Sequence, residues 1–246
     1  MFITPKWPAP ENVRAAISTR NGGRSVSPWD ELNLAFHVGD TPNTVEKNWQ
    51  LLAEQLQLTV VPQLLQQVHG TKIVFAGVDG AVPIADGSYT NRPGPVCTVM
   101  TADCLPLLIC DARGKEVAAI HAGWRGLASG IVEEAVKLFQ SDPSELMVYL
   151  GPAICQSNFE VGAEVIDAFL ANASQYARSE TIDCFLRTDD LHWQADLYRL
   201  ARLALKAVGV TQVYGGEFCT YENVRDFYSY RRDGQTGRMA SLIWIS

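Results

Sequence analysis

Histidine is scarce in this chain, four in 246 residues, and that scarcity limits any reading that needs many imidazoles. No apolar run approaches the roughly 20 residues that span a bilayer, so no membrane association is expected. The first ten residues hold three prolines and one lysine but no apolar segment, so no secretory leader is expected either. There is no internal repeat, low-complexity tract or linker. No glycine-rich turn of the GxGxxG or GxxxxGK[S/T] kind joins a strand to a helix, which argues against dinucleotide and P-loop nucleotide enzymes. Basic residues are outnumbered, 20 against 27, for a net charge of −7, so a general nucleic-acid-binding face is not expected. Six cysteines are present, at 97, 104, 110, 155, 184 and 219, with no CxxC pair among them. The chain is far larger than a mini-domain stapled by disulfides. A cytoplasmic monomer with reduced thiols is therefore expected.

What is present is an ordinary globular balance, 47% hydrophobic and 19% charged, long enough to bury a sizeable core. Val13 to Thr19 reads as a strand closed by the turn Asn21-Gly22-Gly23. Asn43, with Glu46 three residues on, reads as the N-cap of a helix to about Leu58. Gln63 to His69, Lys72 to Ala76, Val96 to Thr101, Leu105 to Cys110 and Glu116 to His121 read as strands. After His121 the apolar period lengthens to three or four residues, predicting one helix over about Gly126 to Phe139. Leu146 to Leu150 is a strand and Glu164 to Leu170 a short helix. Leu197, Leu200, Ala201, Ala204, Ala207 and Val208 form the stripe of a helix ending at Gly209. Val210 to Tyr214 and Met239 to Ile245 close the series as strands. Strands in runs with scattered helices predict an α+β fold, a single domain over residues 1–246 with a mixed β-sheet core and flanking helices.

Reactive side chains cluster at strand ends. His69 lies in Gln67-Val68-His69-Gly70, His121 in His121-Ala122-Gly123-Trp124, and Cys104 in Thr101-Ala102-Asp103-Cys104. Two imidazoles and a thiolate suit a borderline-soft ion such as zinc, and three protein ligands leave a fourth position open, as in catalytic sites. The spacing alone leaves a second reading standing. Cys104 then behaves as a small buried hydrophobe, and the histidines are hydrogen-bonded in the core.

Beyond these local patterns, several segments occur together and in order: STRNGG (18–23), LNLAFHVGD (32–40), QVHG (67–70), TADCLPLLI (101–109), AAIHAGWRGLASGIV (118–132), LGPAIC (150–155), FEVG (159–162) and SYRRDGQTGRMASLIWI (229–245). As a set they closely resemble the purine nucleoside phosphorylase family long labelled polyphenol oxidase or laccase-domain proteins, the YfiH-type family, from about Ile17 to the C-terminus. The resemblance implies that His69, Cys104 and His121 are the catalytic residues and the zinc ligands. It also implies phosphorolysis of adenosine, inosine, guanosine and methylthioadenosine, with adenosine deamination as a further activity. Purine nucleosides and phosphate are then the partners. Where relatives carry an ADGLVT-like stretch this chain has Ala85-Asp86-Gly87-Ser88-Tyr89-Thr90, which keeps Asp86.

Two alternatives come with the family. A His/Cys trio also suits one copper ion, but a multicopper oxidase needs a further imidazole cluster, and only His37 and His192 are left to build it. Copper-dependent polyphenol oxidation is thus the weaker choice of metal chemistry. A cysteine hydrolase editing cell-wall peptide precursors would use Cys104 as nucleophile and His121 as base, with His69 assisting.

Phosphate must approach a chain of net charge −7, so positive charge has to be focused locally. Arg125, four residues after His121 at a helix start, is the first candidate, and the Arg231–Arg232 pair the second, because the guanidinium fork suits phosphate oxygens. Arg20 and Arg238 stand in other motifs of the set. His37 is expected to fix its loop by a hydrogen bond and His192 to lie on the surface. Cys97 and Cys110 are expected in the core. Asp103 either orients an imidazole or ends its strand, and Trp124 and Phe159 either stack on a purine or pack in the core.

Overall fold

The computed structural model describes residues 1–77, 80–172 and 178–246. In chain order the elements are β1 (Phe2–Ile3), β2 (Val13–Ser18), α1 (Pro42–Leu56), β3 (Ile73–Phe75), β4 (Gly87–Thr90), β5 (Val96–Thr101), β6 (Leu105–Asp111) and β7 (Val117–Ala122). There follow α2 (Trp124–Ala128), α3 (Ile131–Val136), β8 (Leu146–Leu150), β9 (Glu160–Val161), α4 (Ala163–Asn172), α5 (Arg178–Ile182) and β10 (Phe185–Arg187). The chain closes with β11 (Trp193–Ala195), α6 (Leu197–Ala207), β12 (Gln212–Gly215), α7 (Tyr230–Asp233) and β13 (Met239–Ile245).

Two sheets stack face to face. One runs β12-β8-β6-β7-β4-β3 and is mixed, because β12 lies parallel to β8 and β3 parallel to β4 while the inner pairs are antiparallel. The other runs β1-β2-β13-β5 and is antiparallel. A small third sheet orders β10-β11-β9. This is the expected α+β fold with a mixed sheet.

Alternation along the strands builds the layers, because successive side chains point to opposite faces. In β13, Ile243 and Ile245 enter the layer between the two large sheets, while Ala240 and Leu242 face Leu52 of α1. In β6, Leu108 and Cys110 face the same inter-sheet layer, while Leu105, Leu107 and Ile109 face Ile131 and Val132 of α3 and Leu200 of α6. The order of layers is therefore α1, four-stranded sheet, six-stranded sheet, then α2, α3, α4 and α6. Helix α6 is anchored where the Asp196 carboxylate accepts the Arg199 N–H at 2.9 Å, a side-chain N-cap.

Four expectations need correction. Helix α1 starts at Pro42 behind an extended Thr41, not behind Asn43, because proline at the first helical position has no N–H to satisfy. Gln63 to His69 forms only isolated bridges at Gln63 and Gln66. Its Gln67 side chain replaces a backbone ladder, donating to Met100 O at 2.8 Å and accepting from Met100 N at 2.7 Å. The single helix over 126–139 is two, α2 and α3, because Gly130 adopts φ +92°, outside the right-handed helical region. Finally, not all thiols are reduced. Cys155 and Cys219 form a disulfide across 64 residues, side by side because Ala153 and Cys219 bridge in parallel. No sequence spacing could signal a pairing made by tertiary contact.

Candidate metal centre

The layer between the two large sheets is mainly apolar up to the end of β7. Val117 and Ala119 lie within it, and the same alternation turns His121 toward the same side. Cys104 stands one residue before β6, on the tight link from β5. That link requires Asp103 at φ +88°, a conformation that aspartate tolerates better than most residues. Asp103 is held there by Thr220 Oγ1 at 2.6 Å, Ser229 Oγ at 3.0 Å and the Arg231 N–H at 2.7 Å. Its carboxylate therefore neither orients an imidazole nor merely ends a strand. It ties the Cys104 link to two distant segments of the chain.

His69 arrives from the loop between α1 and β3 and also has positive φ, +60°. Asp86 fixes it. This fully buried carboxylate accepts N–H groups from His69 at 2.8 Å, Gly70 at 2.7 Å and Val68 at 3.2 Å, and bonds His121 Nδ1 at 2.8 Å. The His121 N–H donates to the Asp86 carbonyl at 2.7 Å as well. Burial alone would push the Asp86 carboxyl up, but the hydrogen bonds from His121, Gly70 and Val68 outweigh it and hold it low. Asp86 is the residue of this centre to which reading the sequence gave no role. Its signal was faint, an aspartate kept immediately before a strand glycine.

His69 Nε2 and Cys104 Sγ are 3.7 Å apart, and the three ligand atoms of His69, Cys104 and His121 all lie within 4.8 Å of one another. The imidazoles meet edge to face, with ring centroids 4.8 Å apart. Zinc bonds sulfur at about 2.3 Å and imidazole nitrogen at about 2.0–2.1 Å, so two ligands of a tetrahedral ion sit roughly 3.5 Å apart. The trio fits a metal in size and in donor type, and Asp86 on His121 Nδ1 supplies the outer hydrogen bond that such ligands usually have. Burial pushes the Cys104 thiol up, yet the neighbouring His121 and His69 bring it down to about 6. Burial pushes His121 down, while Cys104 and Asp86 raise it to about 9. Without a metal the site is thus a thiolate–imidazolium pair. Gly123 is required beside it, because a Cβ there would come within 2.7 Å of the His69 ring and 3.2 Å of Cys104 Sγ.

The trio opens into a cavity of about 510 Å³, within the usual range for small-molecule sites. Its wall includes His37, Trp124, Arg125, Tyr230 and Arg238, and no lining residue is a carboxylate. Of the residues proposed from the sequence, Arg125 is at the rim, its guanidinium 4.3 Å from the Trp124 ring centroid. Helix α2 behind it is only five residues long, too short to carry the helix-dipole contribution expected there. Arg231 and Arg232 do not line the cavity. Arg231 bonds Glu160 O at 2.9 Å and lies over Phe159. Arg232 is spent on Asp233 and on the carbonyls of Thr220, Tyr221 and Phe227. Phe159 packs in the core, whereas Trp124 faces the cavity. His37 also lines the cavity and makes no hydrogen bond among the described residues, so it does not fix its loop in the way expected. His192 is exposed and pairs with Asp189 at 2.9 Å, and Cys97 and Cys110 are buried.

The other set of candidate ligands among the described residues is Cys155, Cys219 and Glu222, whose cysteines are joined as a disulfide. With His192 on the surface, the described residues hold no imidazole cluster for a multicopper centre. No helix among them is long and apolar enough to cross a membrane.

Comparison with known proteins places this geometry. A family model described as multi-copper polyphenol oxidoreductase laccase matches residues 14–246. A purine nucleoside phosphorylase of Pseudomonas aeruginosa is 50% identical over 99% of this chain and 98% of its own length. The purine nucleoside phosphorylase YfiH of Escherichia coli K12 is 48% identical over the same shares. Among solved structures, a Neisseria meningitidis protein superposes with a TM-score of 0.93 at 47% identity, covering 100% of this chain and 99% of that one. YlmD from Geobacillus stearothermophilus gives 0.86 at 32% identity, covering 96% and 92%.

Proposed function

The chain belongs to this laccase-like family, and within it we propose that the protein is a zinc-dependent purine nucleoside phosphorylase. Its substrates are adenosine, inosine, guanosine and methylthioadenosine, and adenosine deamination is a further activity of the same site. One observation carries the reading. A His69, Cys104, His121 donor set sits in a cavity without carboxylates, in a chain whose named relatives are purine nucleoside phosphorylases. In phosphorolysis a phosphate oxygen bonds to the ribose anomeric carbon, the bond from that carbon to the purine nitrogen breaks, and the purine leaves with a proton. His69, Cys104 and His121 would hold the zinc, which would supply a Lewis acid there.

The chain's own residues do the rest. Asp86 fixes the tautomer and the angle of His121 and the backbone that carries His69. Trp124 offers a ring face on which a purine can stack. Arg125 and Arg238 make the cavity attractive to an anion in a protein of net charge −7.

A second reading has its own support. Cys104 beside His121, with Asp86 on the far ring nitrogen, is also the nucleophile–base–orienter order of a thiol hydrolase, such as one that edits cell-wall peptide precursors. Product analysis separates the two. Zinc-loaded, copper-free protein given adenosine should release adenine and ribose 1-phosphate only when phosphate is present, and inosine with or without it. A chelator should abolish both and zinc restore them. Peptide cleavage that survives chelation, with nucleosides untouched, would establish the hydrolase instead. Oxygen uptake confined to copper-loaded protein would establish the oxidase that the family description names.

A further inference from the structure

A second lobe of about 430 Å³ adjoins the cavity of the trio, sharing His37, Tyr230 and Arg238 with it and adding Val38, Gly234, Gln235 and Thr236. This lobe, too, is lined by no carboxylate. Arg238 forms no ion pair among the described residues. One terminal nitrogen of its guanidinium donates to Thr236 O at 3.0 Å and Gly237 O at 2.9 Å, and the group lies 5.7 Å from the Tyr230 ring centroid. The rest of the guanidinium fork has no acceptor among the described residues, although burial pushes this arginine below its ordinary value, a cost that an anionic partner would relieve.

Two further groups on the same wall are unused. Thr236 is 1% exposed, yet its hydroxyl is a buried polar atom with no hydrogen-bond partner, a rare condition that usually marks a missing ligand or water. His37 makes no hydrogen bond among the described residues, so its ring N–H is free. Burial and the nearby Arg238 charge keep its imidazole below the usual range, so at neutral pH it adds a donor without adding a second charge. A guanidinium, a hydroxyl and an imidazole N–H thus belong to residues that line one lobe, and no acidic side chain shares that lining. That is the chemistry of a compact tetrahedral oxyanion.

We propose that Arg238, Thr236 and His37 form the subsite for inorganic phosphate, the co-substrate, beside the metal trio. Identifying the anion as phosphate rests on the phosphorylase reading; the presence of an anion subsite rests on the wall itself. Arg125, stacked on Trp124 at the exposed rim, then attracts the anion or contacts the nucleoside and is not its seat.

Calorimetric titration of the zinc-loaded protein with inorganic phosphate tests this directly, alongside the phosphate KM measured at saturating adenosine. Thr236→Val keeps the side-chain shape and removes a hydroxyl that bonds nothing in the fold, so it guards against misfolding. Arg238→Gln removes the fork. Phosphate binding should weaken about tenfold or more in Arg238→Gln and measurably in Thr236→Val, with a smaller change in Arg125→Gln. If adenine is released with an unchanged phosphate KM in both Arg238→Gln and Thr236→Val, the subsite is wrong and the phosphorylase reading stands. If phosphate binds and both variants weaken it, but no nucleoside is cleaved, the subsite stands and the phosphorylase reading falls. If wild-type protein binds no phosphate at millimolar concentration, the subsite is overturned.

Discussion

Asp86 accepts five hydrogen bonds within one buried pocket, four of them on its carboxylate, and through them it joins a loop from one part of the chain to a strand from another. An asparagine has one acceptor oxygen where the carboxylate has two. Asp86→Asn should therefore leave at least one N–H of residues 68–70 without its acceptor and should misdirect His121. The expected loss is about 10–100-fold in zinc affinity and about 1–3 kcal/mol in stability, read from competition with a chelating dye and from a urea melt. An affinity equal to wild type would show that His121 is oriented by packing alone. The ionisation of the trio gives a second outcome. With Cys104 held near 6 and His121 near 9, the metal-free protein at neutral pH holds a proton on His121 but little on Cys104. Metal must displace that proton, since only the free imidazole ligates. Between about pH 7 and the His121 midpoint near 9, the logarithm of zinc affinity should rise by about one per pH unit and then level off. A flat profile over that window would mean that His121 is already neutral, or is not a ligand.

Elements were legible in the sequence where one periodicity ruled and illegible where side chains took over backbone roles. The apolar runs Leu105–Cys110 and Met239–Ile245 mark strands, which the structure buries on both faces, and the three-to-four spacing in Leu197–Ala207 marks one apolar helix face, which the structure also uses. Gln63 to His69 has strand composition, but its glutamines bond the backbone of β5 and of neighbouring loops through their amides, a choice that composition does not reveal. The site follows the same division. Strand ends drew attention to His69, Cys104 and His121, and the family resemblance joined them. The partners of Asp86, the state of Thr236 and the lack of an ion pair on Arg238 among the described residues are facts of tertiary contact and leave no spacing in the sequence. The link between β7 and α2 bears directly on function. Gly123→Ala places a methyl group within 2.7 Å of the His69 ring, closer than non-bonded atoms approach, so His69 must move from Cys104. The variant should fold with wild-type circular dichroism but bind zinc at least about tenfold more weakly. Full zinc affinity would show that the His69 loop is softer than its Asp86 clamp implies.

At the scale of the whole molecule, the two stacked sheets serve the site by ending together. The inter-sheet layer is filled with aliphatic side chains along most of its length and closes, at the end of β7, on a polar cluster that the two sheets and the Asp103 and Asp86 anchors hold from several sides. A rigid scaffold of this kind lets residues 35 and 17 positions apart in sequence act as one ligand set. It also focuses positive charge in a chain of net charge −7, because no Asp or Glu lines the two cavities while Arg125 and Arg238 do. The claim on which the whole account depends is that His69, Cys104 and His121 share one ion. Elemental analysis of purified wild type, Cys104→Ala and His121→Ala, each expressed in zinc-supplemented medium and freed of loosely bound metal, tests it most directly. The account predicts about one zinc per chain in the wild type and little in either variant, with circular dichroism unchanged. Full zinc in both folded variants would contradict it.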